Sequence, residues 1–528
     1  MGDGGTPEDY LWLVVLGAFL SVFTAYGIGA NDVANAFSTS VGSKTISMKT
    51  AVIFAGFWEF AGAVLLGSHV TKTIRKGIAD ASCFSDDPEL LMYGMMCVIF
   101  STGVWLILAT KWELPVSTTH STVGGIIGMV IAAKGADCVT WYTETDTFPY
   151  CKGVAAIVVS WFLSPLLSAA VGGSLFAAIR TVVLRHENSY VRSFWVYPVL
   201  LICTLVVYIF FIIYKGAKGL GLDDTSLNLA LALSFGIGGG VTLIVSPFYL
   251  PWLKRNIDAS FEEREVDGKP QWVQVKNTGF WGAGKKKLAG DAAELTTEEV
   301  DAQVEETNKS FLASSFGSLK KFVSDGVNYD VDASVQEDKD VAMIHDQSEK
   351  FDVKSEEVFK WLQVFTACMD SFGHGANDVA NSIGPYAAIY MIYKENGINE
   401  DGESNLGANA YWILVLGGFG IVLGLATYGY KIMAAIGVKM TPITPTRGFC
   451  IEVGATFVIV LGSRLEMPLS TTHCQVGSTM GVGAVENCSQ LNWKLLIKVF
   501  AGWVGTLLIA GFTTGIIFAQ GAFAPCAI

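Results

Sequence analysis

Apolar residues in this chain gather in long blocks rather than alternating with polar ones. Such blocks occupy about residues 11–28, 51–67, 91–109, 120–133, 153–179, 194–214 and 227–252. After a polar stretch they resume at about 358–392, 411–430, 448–463, 471–485 and 495–519. Most approach the roughly 20 residues that a helix needs to cross a hydrocarbon core about 30 Å thick. The pattern predicts an all-α polytopic membrane protein with about 12 transmembrane segments, seven before the polar stretch and five after. The blocks at 120–133 and 471–485 are short and glycine-rich. They are expected to be re-entrant hairpins or broken helices, which a membrane tolerates only around a cavity.

Composition agrees with a membrane setting. Charged residues are only 16% of the 528, and mean hydropathy is +0.45, whereas a soluble domain carries about 25% charged residues. The net charge of −13 is concentrated in one place, since residues 254–360 hold 23 acidic against 15 basic side chains and so contribute −8 of it. No basic surface for nucleic acid is indicated. The polar stretch divides the chain into a membrane unit at 1–253, a charged and largely disordered loop at 254–356, and a second membrane unit at 357–528. Within the loop, Gln271–Val275 alternates like a short strand, and Thr296–Phe322 is patterned like an amphipathic helix. With seven segments before the loop, the two units enter the membrane from opposite sides and form inverted repeats. Arg180, Arg185, Arg192, Lys431, Lys439 and Arg447 favour a cytoplasmic loop, with both termini outside. The first ten residues lack the basic region of a signal peptide, so the first apolar segment is expected to be retained. The ten cysteines form no CxxC pair. Cys83, Cys138 and Cys151 fall in outside loops, where a disulfide is possible but its pairing stays open.

Two polar phrases interrupt the apolar pattern, each of them twice. Gly29-Ala30-Asn31-Asp32-Val33-Ala34-Asn35 recurs as Gly375-Ala376-Asn377-Asp378-Val379-Ala380-Asn381. Pro115-Val116-Ser117-Thr118-Thr119-His120 recurs as Pro468-Leu469-Ser470-Thr471-Thr472-His473. A carboxylate in hydrocarbon is costly, so it normally lines a cavity or binds an ion. The Gly and Asn residues disfavour a continuous helix, and unwinding would free backbone groups as ligands. The plainer alternative is a pair of glycine-rich packing faces with Asp32 and Asp378 as helix caps.

The residue types suit two ligands at once. Asp32, Asn35, Asp378, Asn381, Ser117 and Ser470 offer hard oxygens fit for Na⁺. Asn31, Asp32, Ser117, Thr118, Thr119, Asn377, Asp378, Ser470, Thr471 and Thr472, with N–H groups at a broken helix, suit an oxyanion such as phosphate. A cation lowers the electrostatic barrier to taking a multiply charged anion into low dielectric. Together they point to symport. An intramembrane hydrolase is disfavoured, because Ser117 and His120 would have to serve as an active site twice over.

These doubled phrases resemble those of the inorganic phosphate transporter (PiT) family, the sodium–phosphate symporters, across both membrane units but not the loop. The run Gly67–Gly77 and the stretch Thr471–Ser478 are part of the likeness. The resemblance implies a twelve-segment inverted-repeat fold, phosphate near a pseudo-two-fold axis, coupling to Na⁺ or sometimes H⁺, and a homodimer; the expected location is the plasma membrane. The resemblance also implies a transporter and not an enzyme, with no cofactor beyond the coupling ion. Glu59 and Glu452 lie inside apolar runs, where neither can stay unpaired, and the family likeness gives them a coupling role. His120 and His473 close both copies of one phrase and are read as structural or gating residues rather than direct ligands. His374 and His69 carry no assigned part. Arg447 and Arg464 are read as interfacial anchors. H⁺-coupled symport, or a phosphate sensor on a transporter-like fold, are the alternatives.

Overall fold

A computed structural model describes residues 7–67, 78–146, 148, 150–214, 225–266, 269–275, 335, 338–398, 411–464 and 469–523. Each apolar block is helical. In the first unit the helices are α1 (Leu11–Asn31), α2 (Ser38–Gly42), α3 (Met48–Leu66), α4 (Pro88–Lys111), α5 (Thr118–Lys134), α6 (Val154–Ile179), α7 (Ser189–Ile213) and α8 (Leu227–Ser260). A short 3₁₀ turn, Val33–Asn35, links α1 to α2. After the loop come α9 (Lys339–Asp346), α10 (Val353–Glu395), α11 (Tyr411–Tyr428), α12 (Tyr430–Gly437), α13 (Pro445–Arg464), α14 (Thr471–Glu486) and α15 (Trp493–Phe523). Among the described residues, nine of these helices (α1, α3, α4, α6, α7, α8, α11, α13 and α15) are long and apolar enough to cross a bilayer.

Several expectations change. The segments after the Ser-Thr-Thr-His phrases are unbroken helices of 17 and 16 residues. At 1.5 Å per residue each is only about 25 Å long, short of a full span. Ser117 and Ser470 stop them by capping, each accepting a backbone N–H three residues on, from His120 at 3.2 Å and His473 at 3.3 Å. The two GANDVAN copies also differ. The first breaks its helix, as expected, but the second lies within α10, which runs unbroken for 43 residues. The reason is where each leading asparagine bonds. Asn31 is pulled sideways, donating to Thr110 and Leu114 and accepting from the Val116 N–H, whereas Asn377 donates only to the adjacent Asp378.

The described part of the loop includes a β-hairpin. β3 (Phe261–Val266) pairs antiparallel with β4 (Lys269–Gln274), which contains most of the expected strand. The amphipathic segment at 296–322 and most of the Gly67–Gly77 run lie outside the described residues, as does His69. A two-residue hairpin, β1 (Thr143–Glu144) with β2 (Cys151–Lys152), sits beside a disulfide between Cys83 and Cys138. Cys151 is a buried free thiol.

Helices of the two units interleave. α1 packs on α11, while α10 packs on α3; α5 packs on α15, while α14 packs on α6. Each of these pairings joins one helix before the loop to one after it. α1 also lies against α4 and α10, and this contact centres the main core.

The end of the loop is tied into the same body. Glu349 accepts from Arg180 and Arg185, and its carbonyl accepts from Arg447 at 2.8 Å. Arg447 is 2% exposed and pairs with Glu486 at 2.7 Å. It is therefore part of an internal ion cluster, not an interfacial anchor. Burial acts to raise the Glu349 pKa, but hydrogen bonds from Arg185 and Arg180 and their positive charge outweigh it, leaving the carboxyl below the ordinary glutamate value. A depressed folded-state pKa gives stability that is present above the unfolded pKa of about 4.3 and lost as pH falls through the folded value. Glu349→Ala should therefore lower the melting temperature in detergent at pH 7, with a loss of about 1–3 kcal/mol from charged hydrogen bonds. The gap from wild type should shrink as pH drops below about 4; a gap independent of pH would mean that packing, not charge, holds the segment.

Candidate functional site

The two aspartates of the doubled phrase meet although they are 346 residues apart. Thr471, at the start of α14, donates its single hydroxyl proton towards either Asp32 Oδ1 at 3.0 Å or Asp378 Oδ2 at 3.2 Å, so it stands between the two carboxylates. Thr472 also donates to Asp32, and Thr118 donates to its other oxygen at 2.7 Å. The asparagines cross over. Asn35 donates to Thr472 of the second unit at 3.2 Å, and Asn381 donates to Thr118 and Thr119 of the first at 2.9 and 3.2 Å. Each unit thus completes the other's polar cluster.

The cluster extends along α10. His374 stands 3.6 Å from Asp378 and 3.7 Å from Asp370. Thr456 bonds to Asp370, and Tyr208 reaches Thr456 and the Thr366 carbonyl. Thr366, Thr39 and Ser40 in turn surround Glu452. Glu59 takes one bond from Ser371 at 2.9 Å, and its second oxygen has no partner among the described residues. Asp32, Glu59, Asp370, Asp378 and Glu452 are each at most 1% exposed. Among the described residues, no lysine or arginine pairs with any of them. Buried carboxylates in that state need bound cations or protons. Asp32, His374 and Asp378 offer ligand atoms within 4.8 Å of one another, so they could hold such a cation.

The remaining expected residues fall nearby. Ser117 and Ser470 use their lone pairs as caps, which leaves each hydroxyl proton free to donate. His120 accepts from Trp161 at 3.1 Å and lies edge-on to His473, with ring centres 4.8 Å apart; His473 stacks on Trp503. Asn31 spends its amide on residues 110–116. Pro468 and the side chain of Arg464 lie outside the described residues. Asp370, Thr39, Thr366 and Thr456 were not singled out from sequence. The signal available was Asp370, His374 and Asp378 at four-residue steps, which puts all three on one face of a helix.

The first glycine of each phrase has a separate task. A Cβ on Gly29 would lie 1.9 Å from the Ile421 carbonyl oxygen, and one on Gly375 2.1 Å from that of Glu59. Both glycines let helices of opposite units touch backbone to backbone. The packing alternative was right for the glycines, while the aspartates belong to the polar cluster.

Interleaved helices closing on a buried, doubled polar site define a membrane transporter. A family model described as the phosphate transporter family (PHO4) matches residues 28–514. The chain belongs to that family, which places it among transporters and not enzymes. It is similar to the phosphate-repressible phosphate permease pho-4 of Neurospora crassa, with 31% identity over 96% of this chain and 97% of that protein. It is also similar to human sodium-dependent phosphate transporter 2, with 29% identity over 97% and 98%. A solved structure titled "The sodium-dependent phosphate transporter" matches with a TM-score of 0.68 and 27% identity, covering 96% of this chain and 98% of that one.

Gly29→Ala and Gly375→Ala should each lower the melting temperature and reduce transport, because overpacking a tight contact costs about 1–3 kcal/mol. Gly373→Ala, whose new methyl meets nothing within 4 Å, should not lower it. Equal melting temperatures for all three would remove the packing role.

Proposed function

We propose that this phosphate transporter is a symporter that imports inorganic phosphate on the Na⁺ gradient. The observation that carries the reading is the pair Asp32 and Asp378, buried together around one hydroxyl with no lysine or arginine among the described residues to balance them. At 4 Å, two like unit charges repel by about 4 kcal/mol at an effective dielectric of 20. A phosphate anion entering beside both carboxylates would meet that barrier twice. Na⁺ at Asp32, Asp378 and the neighbouring Asn35, Asn381, Ser117 and Ser470 would remove it, so the cation binds first. Phosphate then takes hydroxyl donors from Ser117, Thr118, Thr119, Ser470, Thr471 and Thr472. Asn31 holds the segment that carries some of these donors, and Asn377 steadies Asp378. Glu59 and Glu452 couple the site to its surroundings, while His120 and His473 meet where the two short helices must part. Protons on the same carboxylates give the H⁺-coupled alternative, which the His374 ring standing between Asp370 and Asp378 favours.

The architecture proposed is two inverted repeats of about 12 spans in all, with both termini outside and the long loop in the cytoplasm. The disulfide supports the orientation: Cys83 precedes α4, Cys138 follows α5, and disulfides persist on an oxidising face. The homodimer rests on the family likeness, and the plasma membrane is the proposed location.

Uptake of labelled phosphate into proteoliposomes under separate Na⁺ and H⁺ gradients tests the coupling. Phosphate uptake should need external Na⁺ and should be inhibited by arsenate far better than by sulfate. Uptake undiminished in choline with an imposed pH gradient would transfer the proposal to H⁺. Asp32→Asn and Asp378→Asn should weaken apparent Na⁺ affinity by about two decades, from loss of a few kcal/mol of Coulomb energy. Ser117→Ala and Ser470→Ala should act mainly on phosphate affinity. Asp variants with normal affinities and poor expression would reduce the carboxylates to structural groups.

A further inference from the structure

α14 carries a polar side chain that neither doubled phrase includes. Gln475 is fully buried, yet both polar atoms of its amide have no partner among the described residues. Successive residues of a helix turn by about 100°, so if Thr471 is at 0°, Thr472 is at about 100° and Gln475 at about 40°. Gln475 is therefore centred, one turn along, on the face from which Thr471 and Thr472 reach Asp32 and Asp378. The opposite unit supports this direction. Thr122 holds the matching place on α5, and its hydroxyl donates to the Asn381 carbonyl at 3.0 Å, inside the same cluster. Asn35, the counterpart of Asn381, has its own side-chain oxygen without a hydrogen-bond partner among the described residues. An amide so buried leaves two donors and an acceptor oxygen unmet, at a cost that a polar ligand would offset.

We propose that Gln475 contacts the transported phosphate, donating from Nε2 to an unprotonated phosphoryl oxygen and accepting the P–OH proton at Oε1. This rests on the reading of the chain as a phosphate symporter. The pairing distinguishes oxyanions by chemistry, because hydrogen phosphate carries an O–H at neutral pH and sulfate does not. Sulfate would leave Oε1 facing a bare anionic oxygen, an acceptor against an acceptor.

The test is uptake into proteoliposomes by wild type, Gln475→Leu and Gln475→Thr, the last copying Thr122. Loss of hydrogen bonds to a charged ligand should raise the half-saturating phosphate concentration of Gln475→Leu about tenfold or more. Half-saturating Na⁺ at saturating phosphate should not move, and the melting temperature should not fall. Sulfate, as a competitor, should gain on phosphate by a similar factor. Gln475→Thr keeps a polar group and serves if the leucine variant does not fold; it should fall between the two. Unchanged phosphate affinity, or equal weakening of phosphate and sulfate, would overturn the assignment while wild-type uptake stood. Absence of phosphate uptake by wild type under any cation gradient would instead overturn the functional reading beneath it.

Discussion

Two carboxylates facing one hydroxyl in the interior of an apolar bundle set the terms for the rest of this structure. Asp32 and Asp378 come from opposite units, and Thr471 stands between them. Their mutual repulsion in a medium of low dielectric opposes the helix packing that brings them together. The surroundings oppose it in two ways. Hydroxyl and amide donors from Thr118, Thr472, Asn35, Asn377 and Asn381 converge on the pair or its immediate neighbours. Backbone-to-backbone contacts at Gly29 and Gly375 draw the helices close enough for those donors to reach. The glycines and the aspartates of one phrase are therefore parts of one arrangement, the first supplying proximity and the second supplying charge.

Much of this was legible in the sequence, and the reason is physical. Apolar blocks mark helices in a membrane protein because backbone groups in hydrocarbon must bond within their own segment. All twelve blocks are helices for that reason. Polar phrases stand out against such a background, so the doubled motifs located Asp32, Asp378 and the threonines directly. What composition could not convey was the course of the backbone. The two copies of GANDVAN read identically, yet one ends a helix and the other does not, because the difference lies in Asn31 reaching a segment some 80 residues away.

The residues missed in sequence share a feature: each is held by partners remote in the chain. Thr39 and Thr366 bond to Glu452, and Asp370 is bonded by Thr456. Glu349 looks like one more charge in an acidic loop, but it binds Arg180 and Arg185, more than 160 residues before it. No periodicity records such pairings. The Asp370, His374 and Asp378 spacing was an exception, since a continuous helix alone would align them. It was obscured by expecting the second phrase to unwind.

Duplication alone would give two equivalent sites, whereas the structure forms one. The exchange of partners accounts for this. Thr471 and Thr472 serve Asp32, and Thr118 and Thr119 receive Asn381, so each unit supplies hydroxyls to the other's acidic phrase as well as to its own. Helix packing follows the same rule, with α1 on α11 and α10 on α3. The halves then differ where a single site permits it. Thr24 and Ile28 stand 346 residues before Asp370 and His374, so only the second unit carries the additional acid and imidazole. A merged site with pseudo-symmetric donors and an asymmetric set of ionisable groups has a direction that neither copy has alone.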